Sequence, residues 1–115
     1  MPNGVANGFL DSLSASDFAS IAPLLISEKL AWKSVLAEPG AAPHSVYFPD
    51  GAVLSVIKLL GDGRSVEVNT VGRESAYGLL QAIGQPISFN RVVVQIAGRS
   101  QRISAAELLQ NHPAR

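Results

Sequence analysis

Apolar side chains recur at helical spacing in the first quarter of the chain and at alternate positions after it. Phe9, Leu10 and Leu13 fall on one helical face. A second start at Ser14 pairs a capping hydroxyl with Asp17 three residues on. Phe18, Ile21, Ala22 and Leu25 continue as an apolar stripe until Pro23 limits the helix, because an interior proline removes a hydrogen bond and crowds the preceding turn. From Ile26 the pattern becomes short β runs punctuated by turn residues. Leu30, Trp32 and Val35 lead to Glu38-Pro39-Gly40, and a strand over Ser45 to Phe48 stops at Pro49-Asp50-Gly51.

The stretch Val53 to Leu60 is apolar on both faces, which predicts a strand inside a two-layered β structure. Gly61-Asp62-Gly63-Arg64 supplies a hairpin turn. In the returning strand, Ser65 to Asn69, Val66 and Val68 are expected to face the core and Glu67 and Asn69 the solvent. Arg91 to Ile96 is β-branched, Ala97-Gly98 turns, and Gln101 to Ile103 returns. Ser104-Ala105-Ala106-Glu107 is a capping box that opens a short helix ending near His112-Pro113. Helices, then many short strands, then a closing helix predict a mostly β antiparallel jelly-roll barrel or sandwich flanked by short terminal helices. Its core should include Val56, Val66, Val68, Val92 and Val94. Residues 1–115 read as one domain.

Composition narrows the function. The 115 residues are 47% apolar and 16% charged, enough material for one core. Nine basic residues balance nine acidic ones, which disfavours direct nucleic-acid binding. The locally basic tail, Arg91, Arg99, Arg102 and Arg115 against Glu107, reads as solvated strand edges and a chain end. With no cysteine there is no disulfide, thiolate metal site or thiol nucleophile. The start lacks a signal-peptide pattern and no stretch is apolar enough to span a bilayer, so a cytoplasmic protein without membrane contact is expected.

Candidate chemistry is sparse. His44 and His112 are the two histidines, each beside a proline, and neither is placed as a catalytic base or in a metal-ligand spacing. No nucleophile elbow or phosphate-binding loop occurs. Asp62, Glu67 and Glu74 surround a hairpin where carboxylates normally face water. The chain reads as a non-enzyme with no metal site.

Four segments in order carry a resemblance: Leu36-Ala37-Glu38-Pro39-Gly40, Val46-Tyr47-Phe48-Pro49, Asp62-Gly63-Arg64-Ser65-Val66-Glu67-Val68 and Val71-Gly72-Arg73-Glu74. Together they resemble the sensor domain of the Crp/Fnr family of bacterial transcription regulators, whose fold is that of cyclic-nucleotide-binding domains. One departure is that only Asp50 separates Pro49 from Gly51, where the family's turn is a residue longer.

The resemblance implies a helical cassette between two strands that holds a cyclic nucleotide, with Gly-Glu at the ribose and Arg plus a small polar residue at the phosphate. Here the front is Tyr77-Gly78-Leu79-Leu80, with Leu79 where the Glu would stand. The back is Ser88-Phe89-Asn90, with Ser88 near the Arg position and Arg91 just beyond. The implied ligand-binding set is therefore Gly78, Leu79, Leu80, Ser88, Phe89, Asn90 and Arg91, degenerate for cyclic nucleotides. No bound cofactor is expected. Two alternatives stand beside this: a cyclic nucleotide (cAMP or cGMP) still held through Arg91, or an interaction module whose pocket is filled by Leu79, Leu80, Ile83, Ile87 and Phe89. An unknown small-molecule effector is the implied partner. The family continues into a dimerisation helix and a helix-turn-helix, so the chain reads as an excised domain or a shortened relative. DNA contact and a homodimer would then belong to the intact protein.

Overall fold

The computed structural model describes residues 3–40, 45–79 and 90–111. Helix α1 (Gly8–Ser12) starts at Asn7, whose side chain accepts from the Leu10 N–H. Helix α2 (Ala15–Ile21) starts at Ser14, whose hydroxyl accepts from the Asp17 N–H as the sequence suggested, and Pro23 sits in the 3-10 turn Ala22–Leu24 that follows. Among the described residues the strands that come next are β1 (Ile26–Leu30), β2 (Val35–Ala37), β3 (Ser45–Pro49), β4 (Val53–Leu59), β5 (Ser65–Val71), β6 (Asn90–Ile96) and β7 (Gly98–Ser104). Helix α3 (Ala105–Asn111) closes the order, with the Ser104 hydroxyl accepting from the Glu107 N–H.

The strands form two antiparallel sheets, ordered β1-β7-β3 and β2-β6-β4-β5. This is a jelly-roll-like sandwich; among the described residues the sheets do not close into a barrel. Leu30, Leu54, Val56, Val71, Val92 and Val94 fill the space between the sheets. On its other face the three-stranded sheet presents Val46, Phe48 and Ile103 to Leu10, Ile21 and Leu108 of the helices. Phe9 stacks on Phe48 with ring centroids 6.0 Å apart. Alternation within β3 makes both layers possible: Val46 and Phe48 point to the helices, and Tyr47 points to the second sheet. No helix among the described residues is long and apolar enough to cross a membrane.

Two sequence expectations need correction. Ala97-Gly98 is not a hairpin turn. Strands β6 and β7 lie in different sheets, so the chain passes there from one layer to the other, beside the parallel passage of Asp50 to Ala52 between β3 and β4. The Asp50 and Ala52 N–H groups both donate to the Arg99 carbonyl at 3.1 Å. A Cβ on Gly98 would lie 2.6 Å from the Ala52 nitrogen, so only glycine permits the two corners to nest.

The second correction concerns β5. Val56, Val92 and Val94 are buried, but Val66 and Val68 are 48% and 50% exposed. Strand β5 is the edge of its sheet, and the opposing layer covers it only at Val71. The pairing also slips: Val56 faces Asn69 and Ile57 faces Glu67, leaving Val68 as the extra residue of a bulge. Simple alternation therefore fails along this strand.

Candidate functional site

The loop after β5 returns to β3 and is pinned there by a two-way backbone bridge. The Tyr47 and Tyr77 N–H groups each donate to the other's carbonyl at 2.9 Å. Gly78 follows with φ +105°, and a Cβ on it would meet the Ser45 carbonyl oxygen at 2.9 Å. Glycine is required at this position by backbone contact and by the positive φ, independently of any ligand.

Next to Gly78 lies a groove of about 440 Å³. Its walls are Val56 of β4, Val68, Asn69 and Val71 of β5, Ala76, Tyr77 and Leu79 of the returning loop, and Asn90 at the start of β6. The described lining is mostly apolar with two amides, and no cation is among the described lining residues. Asn69 Oδ1 accepts from the Thr70 N–H at 2.9 Å, which orients the amide and leaves its NH2 as a donor. Lys58 pairs with Asn90 across β4 and β6, on the same face as Val56. It has no ion-pair partner among the described residues. A second, smaller apolar cavity of about 80 Å³ lies under the helices, and Leu79 forms part of both walls.

The sequence-predicted residues separate. Gly78, Leu79 and Asn90 all border the groove. Arg91 does not. Its neighbours Val92 and Val94 point between the sheets, so alternation turns Arg91 to the outer face. There its Nε donates to Glu38 Oε1 at 2.9 Å, just beyond β2. Leu80, Ile83, Ile87, Ser88, Phe89, His44 and His112 lie outside the described residues. Sequence reading missed Val56, Val68, Asn69, Val71, Ala76 and Tyr77 as groove walls. The bulge hid the contribution of β5.

The carboxylates around the β4–β5 hairpin are used locally. Asp62 pairs with Arg64 at 2.7 Å, and Glu67 accepts from the Ser55 and Thr70 hydroxyls. Between the sheets, Arg102 pairs with Glu28 at 3.1 Å. Tyr47 lies beside them, and its phenol is held above the ordinary tyrosine range. Burial is the main cause and Glu28 adds to it, while Arg102 and a hydrogen bond with Ser45 work against it. Two of the four arginines of the basic tail are thus neutralised by carboxylates from the first third of the chain. Among the described residues no cluster of three or more metal-ligating side chains occurs.

No family model matches the chain, and no curated protein matches it. Solved structures do. The regulatory domain of Toxoplasma gondii PKA with cAMP superposes with a TM-score of 0.79 at 21% identity, over 90% of this chain and 40% of that one. The regulatory subunit of a cAMP-independent protein kinase A from Trypanosoma brucei gives 0.78 at 16%, over 91% and 39%. The sensor domain of the transcriptional regulator DNR from Pseudomonas aeruginosa gives 0.71 at 12%, over 86% and 67%. The chain thus has the fold of cyclic-nucleotide-binding regulatory domains and of Crp/Fnr-type sensor domains. It spans about two fifths of the length of the kinase regulatory chains.

Proposed function

We propose that this chain is a non-catalytic sensor module of a transcription regulator of the Crp/Fnr type, and that its groove receives a small effector other than a cyclic nucleotide. One observation carries the reading. From Ala76 to Asn90 the chain contains no Lys, Arg, Asp or Glu, and the first arginine beyond it, Arg91, is tied to Glu38 on the opposite face of the sheet. A cyclic phosphate taken into the groove would enter without a guanidinium, and burying a charge without its partner costs several kcal/mol. Leu79 likewise offers no acceptor to a ribose hydroxyl.

In the matched structures this fold accompanies both cAMP and cAMP-independent regulation. A zero net charge and the paired arginines make the β domain a poor DNA ligand, so promoter contact would fall to another part of the regulator. Effector binding would act by favouring one of two conformations of the intact protein.

Isothermal calorimetry with cAMP and cGMP tests the reading. The expected result is no binding at micromolar ligand. Low-micromolar affinity for either nucleotide, abolished by Arg91→Ala, would overturn it in favour of the cyclic-nucleotide sensor.

A further inference from the structure

The groove is charge-free, but its rim is not. Strand β4 carries Lys58 two residues beyond Val56, on the same face, opposite Asn90 on one side and Val66 on the other. Val56 and Asn90 are groove walls, so the lysine stem leaves the sheet at the groove's edge with its ammonium in water. Asn69, on the neighbouring strand, holds its carbonyl oxygen against the Thr70 N–H and offers its NH2 from the same side. An apolar trough with a cation and an amide donor at one end is suited to an elongated molecule that is oily for most of its length and anionic at its tip.

We propose that the groove takes a small apolar carboxylic acid. Its hydrocarbon body lies against Val56, Val68, Val71 and Leu79, and its carboxylate sits at the rim on Lys58 and the Asn69 amide. This rests on reading the groove as an effector site. The distinction from a cyclic nucleotide is electrostatic. A carboxylate at the rim keeps much of its hydration and needs only a flexible lysine, whereas a phosphate drawn inside needs a buried guanidinium. The volume of about 440 Å³ lies within the range of small-ligand pockets. The amides serve orientation and the valines supply contact area.

The test uses 3-phenylpropionate and its neutral isostere 3-phenylpropanamide on the whole chain, followed by calorimetry and by backbone amide NMR shifts. The expected result is binding of the acid, with shifts at Val56, Asn69 and Tyr77 to Leu79, and at least tenfold weaker binding of the amide. Lys58→Gln should erase that preference and Lys58→Arg should restore it; Lys58 is exposed, so both variants keep the fold, checked by their melting temperatures. Equal affinity for acid and amide, or a preference that survives Lys58→Gln, overturns the role of Lys58 while leaving the groove as an effector site. Binding of neither compound overturns the ligand class. Micromolar binding of cAMP to the same sample overturns instead the reading that the effector is not a cyclic nucleotide.

Discussion

Arg91 and Glu38 are 53 residues apart in the chain and 2.9 Å apart in space, on the outer face of the four-stranded sheet. Strand alternation turns Arg91 away from the groove, and the contact ties its guanidinium down on that outer face. The two side chains are 39% and 54% exposed, so the pair is an orienting contact rather than a stability element. A double-mutant cycle with Arg91→Ala and Glu38→Ala should give a coupling of less than about 1 kcal/mol in denaturant unfolding. A coupling of several kcal/mol would mean that the pair is far better shielded than the structure shows.

Asn7 is expected to be the most costly polar position. It is 1% exposed, caps α1 through its oxygen, and donates from its nitrogen to the carbonyls of Pro49 at 2.6 Å and Ser75 at 2.9 Å. Asn7→Ala loses the cap and leaves two carbonyls short of a donor, a loss of about 2 to 4 kcal/mol. Asn7→Asp keeps a good capping oxygen yet should not rescue at neutral pH, because it sets a buried carboxylate against both carbonyls. Full rescue by Asp would reduce Asn7 to an ordinary helix cap.

Two glycines with positive φ separate strain from contact. Gly63 in the hairpin has φ +88° and nothing within 4 Å of a Cβ, so Gly63→Ala should lose only about 1 kcal/mol. Gly78→Ala adds a 2.9 Å clash with the Ser45 carbonyl to the same strain and should lose clearly more, with the Tyr47–Tyr77 bridge disturbed. Equal denaturant midpoints for the two variants would argue against the close approach to β3.

Alanine replacements should divide the valines into two groups. Val92 and Val94 are fully buried, and shortening either should lose on the order of 2 kcal/mol by transfer and cavity terms. Val66→Ala and Val68→Ala should stay within about 0.5 kcal/mol. A large effect at Val66 would place its side chain in a core that the edge strand does not have.

Tyr47 makes stability fall at high pH. Its phenol titrates above the ordinary value near 10 in the folded protein, so the folded state binds its proton more tightly than the unfolded state. The contribution is complete below the unfolded value and is lost as pH rises through the folded one. The sign follows because only the unfolded chain ionises in that window. Tyr47→Phe should therefore lessen the decline in unfolding free energy above about pH 10. An unchanged alkaline slope would show that other groups cause it.

Local and periodic information was legible in the chain itself. Ser14 and Ser104 announce helix starts through side chains that bond within three residues, so neighbours in sequence suffice. Apolar patterning and turn residues located β3, β4 and β6 because backbone geometry imposes a period of two, but the same patterning ran β1 and β2 together through Trp32, which lies in neither. The charge-free run from Ala76 to Asn90 is likewise a property of sequence alone and bears on whatever pocket it borders.

Tertiary structure decided what depends on partners distant in the chain. Whether Ala97-Gly98 turns back or crosses between layers depends on Gly51 and Ala52 lying against it. Val66 and Val68 look like core from their alternation, and they are exposed because β5 happens to be an edge whose opposing layer ends at Val71. The facing of Arg91 follows from β6 register, which is set by pairing with β2 and β4 rather than by its neighbours in sequence. Periodicity tells which residues share a face; only the packing of one layer on another tells which face meets water.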